Sequence, residues 1–417
     1  MHKIVYPSRE TVEAIARAVP TPFHLYDAGM LRRRARALNA AFSWNPGFCE
    51  YFAVKANPNP YVMDILKAEG CGADCASLTE LMLARAVGLH GDRIMFSSND
   101  TPAEEYELAR QLDATINLDD ITMIPYLAKH GGIPQRISLR YNPGGDVAIS
   151  NSVMGHPGDA KFGMTRDQIF ESVEKLSALG VKEFALHSFL VSSALDPTYY
   201  PGMAALLMQL ALDIFRQTGR RVSMINLSGG LGIPYRPEED APEIGKVGKA
   251  VREMYEWYIN GTELAPMRIA CELGRWMTGP CGWLVTRAIH EKRIHKHYIG
   301  VDASACDLMR PAIYGAYHHI TVCGKETDRA DQLYDVVGSL CENNDKFCID
   351  RMLPKIDIGD LLLIHDAGAH GRAMGYNYNG KMRCGEVLLE EDGSFRVIRR
   401  AETPADYFAT LDYPGLV

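Results

Sequence analysis

The chain has 417 residues, of which 47% are hydrophobic and 23% are charged, as in ordinary globular proteins. This composition excludes disordered, collagen-like and coiled-coil chains, and the net charge of −8 argues against nucleic acid as the main partner. No apolar run reaches the roughly 18–20 residues that cross a bilayer, and the N-terminus shows no secretory signal. We therefore expect no membrane partner and a cytoplasmic location.

Short strand patterns alternate with amphipathic helix patterns from about residue 45 to residue 275. The strand patterns cover residues 50–54, 72–74, 93–96, 114–118, 136–140, 183–187, 222–227 and 268–272. Several helix patterns begin near Ser, Thr, Asp or Asn and end at Gly, as helices prefer. Eight strands with intervening helices predict a (β/α)8 barrel of the α/β class over residues 26–280. The same alternation is compatible with an open, doubly wound sheet.

Beyond residue 280 the pattern changes to short strands joined by turns, such as WLVTRAIHEKR, DLLLIHDAG and EVLLEED. This pattern predicts a separate all-β barrel or sandwich domain over residues 281–417. Residues 1–25 contain one helix and the strand FHLYD, which we expect to join the sheet of this second domain. Length alone permits two or three domains, and the strand patterns favour two.

Chemically capable residues follow the predicted barrel strands, at the face where barrel enzymes have their active sites. Lys55 comes directly after the first strand pattern, where we expect its ammonium to be partly desolvated. Desolvation favours the neutral amine that a Schiff base requires. A strand-end lysine that points into water is the alternative, because lysine is rarely buried.

A glycine-rich stretch, SGGLG at residues 228–232, follows the seventh strand pattern. Small residues let backbone N–H groups approach a phosphate, and barrels commonly bind phosphate at this position. A tight loop is the alternative. The eighth pattern delivers Glu272 and Arg275, and a carboxylate beside a pyridinium nitrogen keeps that nitrogen protonated. A Glu–Arg pair that braces the loop is the alternative. Together, the lysine, the glycine loop and the carboxylate indicate pyridoxal 5′-phosphate.

Seven motifs in order resemble those of the fold-type III pyridoxal-phosphate-dependent decarboxylases: YFAVKANPN, KFGM, SGGLG, CELGR, MRPAIY, CENND and GAH…YN. The resemblance covers the chain from about residue 20 to residue 400 and is strongest to the diaminopimelate decarboxylases. The resemblance implies decarboxylation of meso-diaminopimelate to L-lysine, a step of lysine biosynthesis. It also implies a homodimer with its active site at the subunit interface.

The resemblance also assigns roles to individual residues. The resemblance assigns cofactor binding to Lys55, Asp74, His187, Phe189, Ser192, Gly229, Gly230, Gly232, Glu272 and Tyr378. It assigns substrate binding to Arg275, Arg310, Tyr314, Glu342 and Tyr378. Cys341 is expected to reach the partner's active site and to donate a proton, so the predicted catalytic residues are Lys55, Glu272 and Cys341.

Four positions depart from the family pattern. Phe189 stands where a ring-stacking histidine is expected, and phenylalanine can stack but cannot form hydrogen bonds. Val191 replaces a glycine, Leu273 replaces the proline of Glu-Pro-Gly-Arg, and His370 replaces a tyrosine. These changes keep open a decarboxylase of another amino acid, such as D-ornithine, D-lysine or a biosynthetic intermediate. A pyridoxal-phosphate racemase or a non-catalytic cofactor-binding protein is a third alternative.

The ten cysteines are spread along the whole chain. Without an export signal, we expect free thiols rather than disulfides. Cys71 and Cys75 are close in sequence, but no second Cys/His pair lies nearby at the spacing of a zinc site. We therefore predict no metal site.

Overall fold

The computed structural model describes residues 6–145 and 157–415, which form two compact units. The barrel unit consists of Arg32–Ile233 and Ala241–Met277. The sheet unit consists of the chain up to Leu31, of Pro234–Asp240 and of the chain from Thr278 onward. The expected division lies at residues 25 and 280; the sheet unit here extends to Leu31, begins again at Thr278 and also includes the short segment Pro234–Asp240.

The chain enters the sheet unit first. Helix α1 (Arg9–Ala18) begins at Ser8, whose side chain accepts a hydrogen bond from the backbone N–H of Thr11. Strand β1 (Phe23–Asp27) follows, and helix α2 (Ala28–Ala41) leads to the barrel.

Eight parallel strands form a closed barrel. They are β2 (Cys49–Ala53), β3 (Gly72–Cys75), β4 (Ile94–Phe96), β5 (Thr115–Leu118), β6 (Arg136–Arg140), β7 (Glu183–His187), β8 (Val222–Asn226) and β9 (Arg268–Cys271). The barrel closes where β2 pairs with β9. The predicted barrel is therefore confirmed, and the open sheet is excluded. Apolar side chains such as Tyr51, Met95 and Met224 form a buried cluster.

Helices follow the barrel strands and cover them from outside, as in other barrels of this class. They are α3 (Pro60–Ala68), α4 (Leu78–Ala86), α5 (Ala103–Gln111), α6 (Met123–His130), α7 (Arg166–Ala178), α8 (Tyr199–Thr218), α9 (Ile244–Tyr258) and the short α10 (Arg275–Thr278). Their ends follow local sequence signals. Asn59 and Ser77 cap α3 and α4, and Gly219 ends α8 in the left-handed conformation with φ of 67°.

The sheet unit contains a nine-stranded mixed sheet. Besides β1 it includes β10 (Gly282–Arg293), β11 (His297–Val301), β12 (Ile320–Val322), β13 (Gln332–Val337), β14 (Lys346–Leu353), β15 (Leu361–Ile364), β16 (Gly385–Leu389) and β17 (Phe395–Arg399). Strand β1 pairs antiparallel with β10 and parallel with β16. Two short helices, α11 (Arg310–Tyr314) and α12 (Pro404–Phe408), accompany the strands.

Two further observations concern the described residues as a whole. All ten cysteines lie among them, and each is a free thiol. No helix within residues 6–145 or 157–415 combines the length and the hydrophobicity that a membrane crossing requires.

Candidate active site

Lys55 lies just beyond the carboxyl end of strand β2. The strand ends at Ala53, and Lys55 follows on a single 3-10 turn between two buried residues. Its side chain is exposed, as in the alternative of a strand-end lysine that points into water and not as in the partly desolvated one, because the turn carries the lysine past the buried wall of the barrel. The Lys55 Nζ lies 5.9 Å from the centroid of the Phe189 ring. The amine is therefore accessible, with an aromatic ring nearby.

A buried carboxylate lies at the end of strand β9. Glu272 is 6% exposed, and its Oε2 accepts hydrogen bonds from His187 Nε2 at 3.1 Å and from Ser228 Oγ at 3.2 Å. Its Oε1 accepts a hydrogen bond from Asn226 Nδ2 at 2.6 Å. Burial by itself raises the pKa of Glu272, but His187, Lys55 and Asn226 together hold that pKa below its usual value. The group is thus an ionised carboxylate at neutral pH.

The Glu272 carboxylate has one hydrogen-bond acceptor position that the three donors do not occupy. An ionised carboxylate offers about four acceptor positions, and the three donors already described occupy three of them. The His187 ring donates from Nε2, and its Nδ1 is buried without a hydrogen-bond partner among the described residues. Glu272 can therefore accept one more hydrogen bond, from a protonated ring nitrogen for example.

Two neighbouring carboxyl groups behave differently from Glu272. Asp74 on β3 and Glu50 on β2 are both buried, and burial raises the pKa of each well above its usual value. The charge of Glu272 raises both values further, whereas Lys55 lowers that of Asp74. Negative charge is therefore concentrated on Glu272. No sequence pattern singled out Glu50, because it precedes an apolar run and resembles an exposed residue at the start of a strand.

The glycine loop after β8 packs backbone to backbone against the loop after β7. A Cβ added at Gly230 would lie 2.6 Å from the Val191 carbonyl oxygen in that loop, and one added at Gly229 would lie 2.7 Å from the carbonyl oxygen of Glu272, after β9. Gly230 also has φ of +104°, which disfavours other residues. The two loops are joined by hydrogen bonds from Ala194 N to Gly230 O at 2.9 Å and from Gly232 N to Ala194 O at 2.7 Å. Only glycine permits this approach.

These features fit the three parts of pyridoxal phosphate. The accessible Lys55 suits the aldehyde, and the ionised Glu272 with its spare acceptor position suits the ring nitrogen. A loop with three glycines lets a phosphate approach its backbone closely, and the half-buried Ser192 lies in the loop packed against it. The predicted cofactor residues of the barrel unit are thus found at one end of the barrel.

Arg140, at the end of strand β6, was not predicted as a site residue. It is buried, and its Nη1 lies 3.1 Å from Asp119 Oδ1 while its guanidinium covers the Phe162 ring at 4.4 Å. Burial lowers the pKa of Arg140, and Asp119, Glu272 and Asp74 act against that shift. A buried cation at a strand end is a functional candidate. Its only signal in the sequence is a charged residue at the end of a strand pattern.

Arg275 begins helix α10, where the chain passes close to the turn of Lys55. A Cβ added at Gly274 would lie 2.7 Å from the Cβ of Ala56 and 3.2 Å from that of Ala53. The glycine therefore allows the backbone that leads into Arg275 to pack directly on this turn. Arg275 itself is half-buried.

Two predicted substrate residues, Arg310 and Tyr314, lie on helix α11 of the sheet unit. Arg310 is 8% exposed, its Nη1 lies 3.0 Å from His318 Nε2, and its guanidinium covers the Tyr235 ring at 4.6 Å. Tyr314 is exposed and lies four residues later, on the same side of the helix. The orientation of Arg310 is thus fixed by two residues that no motif indicated.

The remaining predicted residues lie in loops of the sheet unit. Cys341 and Glu342 are exposed, and the backbone N–H of Cys341 donates to Asn379 Oδ1 at 2.7 Å. Tyr378, next to this asparagine, is also exposed. The structure therefore brings the CENND loop to the loop of Tyr378. The roles assigned to these residues stay predictions.

Comparison with known proteins agrees with the fold and with the chemistry of the site. Residues 28–279 match the pyridoxal binding domain of the pyridoxal-dependent decarboxylases. Protein TabA of Pseudomonas amygdali pv. tabaci is 38% identical over 403 residues, which cover 96% of this chain and 94% of that protein. The diaminopimelate decarboxylase of Methanothermobacter thermautotrophicus is 33% identical over 396 residues, which cover 95% and 92%.

A solved structure is similar over almost the whole chain. The crystal structure of diaminopimelate decarboxylase from M. jannaschii in co-complex with L-lysine has a TM-score of 0.89 and 27% sequence identity. The match covers 97% of this chain and 94% of that chain. It therefore includes both the barrel sequence and the sheet sequence.

Proposed function

This chain belongs to the family of pyridoxal-dependent decarboxylases, and from that premise we propose that it converts meso-diaminopimelate to L-lysine and CO2. It is a carboxy-lyase, and its cofactor is pyridoxal 5′-phosphate. The observation that carries the proposed reaction is the ionised Glu272 at the end of the barrel, which accepts hydrogen bonds from three donors, His187 among them. We further propose a cytoplasmic step of lysine biosynthesis, and ten free thiols agree with a reducing compartment.

The barrel unit supplies the residues that would hold the cofactor. When bound, pyridoxal phosphate supplies an electron-accepting ring for the electron pair released as CO2 leaves. Lys55 would bind its aldehyde carbon, and the loop of Gly229, Gly230 and Gly232 would hold its phosphate through N–H groups other than that of Gly232, which donates to Ala194 O. Glu272 would hold the proton on its ring nitrogen.

The substrate carries a second amino-acid group at the end that does not react, and the chain has residues that suit it. Two guanidiniums, Arg275 and Arg310, suit a carboxylate, because arginine binds carboxylates in a planar, two-pronged geometry. Glu342 suits the neighbouring ammonium. The rigid support of Arg310 by His318 and Tyr235 favours a fixed anionic partner over a solvated surface role.

We assign the final protonation to Cys341 of a partner subunit in a homodimer, and the same loop of that subunit would supply the Glu342 that binds the substrate ammonium. In support, Cys341 and Glu342 are exposed on a loop that Asn379 anchors. Mixing inactive Lys55→Ala and Cys341→Ala proteins tests this, because a mixed dimer contains one intact site. About one quarter of the wild-type activity is then expected after subunit exchange. An active monomer, or no recovery after proven exchange, contradicts the shared site.

A substrate panel tests the proposed reaction. The holoenzyme is incubated with meso-diaminopimelate, D-lysine and D-ornithine, and released CO2 and the amine product are measured for each. We expect meso-diaminopimelate to react fastest and the Lys55→Ala protein to be inactive. A different preferred substrate overturns the substrate but not the family.

Decarboxylation of another amino acid is the second candidate. It is favoured by Phe189, Leu273 and His370, which depart from the family pattern at the cofactor face and the substrate pocket. It is also favoured by the relative TabA, which at 38% is more similar than the 33% identical decarboxylase and whose name states no substrate. The same panel distinguishes the two candidates.

A further inference from the structure

A buried acid connects the strand of the cofactor lysine to the loop of the catalytic carboxylate. Glu50 is 0% exposed on strand β2, which leads to Lys55. Its Oε1 accepts a hydrogen bond from the backbone N–H of Leu273 at 2.7 Å, and Leu273 directly follows Glu272. The second oxygen, Oε2, is buried without a hydrogen-bond partner among the described residues. The family chemistry described above uses no group at this position.

This contact lies where the barrel closes. Strands β2 and β9 pair only through Cys49 with Ala270 and Glu50 with Cys271. The β2–β9 ladder ends at these pairs, and the chain continues to Lys55 on one side and to Glu272 on the other. The Glu50 side chain therefore extends the connection past the last backbone pair. The N–H of Glu272 itself is bonded elsewhere, to Ser228 O at 2.8 Å.

Residue 273 explains why an acceptor is required here. The family motif has proline at this position, and proline has no N–H to satisfy and a restricted φ. Leu273 has both an N–H and a freer backbone, and it is buried. A buried N–H without an acceptor is destabilising, so replacement of proline by leucine requires a partner at this place. Glu50 is that partner.

We propose that Glu50 is a positioning residue for the cofactor: it ties the Glu272 loop to the Lys55 strand and replaces the stiffness that proline would give to residue 273. The inference rests on the cofactor chemistry of the proposed function and not on the identity of the substrate. It therefore predicts an effect on cofactor binding in the absence of any substrate.

The environment of Glu50 indicates which variant mimics it. Burial raises the pKa of its carboxyl well above the usual value; the hydrogen bond from Leu273 N–H acts against this shift, and the charges of Glu272 and Asp74 add to it. The neutral form is thus favoured, and glutamine is its closest neutral analogue. Glu50→Gln keeps the acceptor for Leu273, whereas Glu50→Leu removes it at similar size.

The experiment compares five apoproteins: wild type, Glu50→Gln, Glu50→Leu, Leu273→Pro and the double variant Glu50→Leu/Leu273→Pro. Each is titrated with pyridoxal phosphate, the dissociation constant and the absorbance spectrum of the bound form are recorded, and the unfolding midpoint is measured separately. We expect Glu50→Leu and Leu273→Pro each to weaken binding by on the order of 10-fold, as loss of a supporting residue does at other sites. Glu50→Gln should bind as wild type does. The double variant should regain most of the affinity, because proline needs no acceptor.

The pattern across the variants decides the outcome. Equal affinity of Glu50→Leu and wild type overturns the proposal, and so does a double variant that binds no better than either single variant. A lowered unfolding midpoint with unchanged affinity means a purely structural role and also overturns it. If Glu50→Leu does not fold, the comparison of Leu273→Pro with the double variant still decides. Failure of the wild-type apoprotein to bind the cofactor contradicts the proposed function instead.

Discussion

His187 donates from Nε2 to Glu272 Oε2 at 3.1 Å. Both side chains are buried at the carboxyl end of the barrel, where His187 ends β7 and Glu272 follows β9. The two residues are 85 apart in sequence. Because the ionised carboxylate only accepts, the contact fixes a proton on Nε2 of the imidazole. The pair keeps Glu272 charged in a place where burial favours the neutral acid. Glu272 is therefore charged only because the folded barrel brings its hydrogen-bond partners next to it.

Replacement of Glu272 by glutamine tests the need for that charge. Glutamine has nearly the same shape but cannot stabilise a positive ring nitrogen, so we expect kcat to fall on the order of 10²- to 10³-fold at saturating cofactor. Steady-state kinetics of the holoenzyme measures the effect. The control is Glu183→Gln, at an exposed position at the other end of β7, which should leave kcat unchanged. Wild-type kcat in Glu272→Gln contradicts the role of the carboxylate.

Replacement of Gly230 by alanine tests the glycine loop. The new Cβ would lie 2.6 Å from the Val191 carbonyl oxygen, at a φ of +104°, so the loop must move or the protein must bear strain of about 1–3 kcal/mol. We expect weaker pyridoxal phosphate binding and a lower unfolding midpoint. Gly245→Ala is the matched control, because a Cβ there meets nothing within 4 Å. Equal cofactor affinity in both variants argues against a phosphate role for the loop.

The strands and the ends of several helices were predictable because their signals are local: buried apolar runs, and caps such as Ser77 and Gly219. Contacts between distant parts of the chain were not. The partners Glu50 and Leu273 are 223 residues apart, and no pattern around either residue indicates the other. The sequence left the exposure of Lys55 open between two alternatives because it depends on the 3-10 turn that follows the strand.

Protonation of the Glu402 carboxylate at low pH should destabilise the loop that carries Tyr378. Glu402 accepts hydrogen bonds from Asn377 Nδ2 at 2.8 Å and from Arg383 Nε at 2.6 Å. Although burial acts in the opposite direction, these partners lower the pKa of Glu402 to about 2. Since the folded pKa is depressed, the stabilisation is complete above the unfolded value of about 4.3 and is lost as the pH falls toward 2.

Glu402→Gln should therefore lower the free energy of unfolding by about 1 kcal/mol at pH 7, as expected for a partly solvated ion pair. Urea unfolding at a series of pH values measures the difference from wild type, which should shrink below about pH 4.3. The exposed Glu263 provides the control, since Glu263→Gln should change little at any pH. A difference that is constant from pH 7 to the acid limit contradicts the assigned cause.

His318 should control substrate binding through Arg310. Its Nδ1 lies 2.7 Å from the His365 carbonyl oxygen, which can only accept, so Nδ1 carries the proton and Nε2 accepts from Arg310 at 3.0 Å. His318→Leu removes that acceptor, and with it one of the contacts that orient the guanidinium. If Arg310 binds the unreactive end of the substrate equally in the ground state and the transition state, KM rises about 10-fold and kcat is unchanged. His318→Gln, which can both donate and accept, should restore part of the loss.

Steady-state kinetics with the best substrate of the panel, together with cofactor titration, separates this role from the alternatives. The exposed His290 supplies the matched control, and His290→Leu should behave as wild type. A fall in kcat at constant KM would place Arg310 in the chemical step and not in binding. Weaker cofactor affinity in His318→Leu would instead mean that the substitution has also altered the structure of the cofactor site in the barrel. Only a rise in KM at unchanged cofactor affinity agrees with an arginine that binds the far end of the substrate and is oriented by a neutral imidazole.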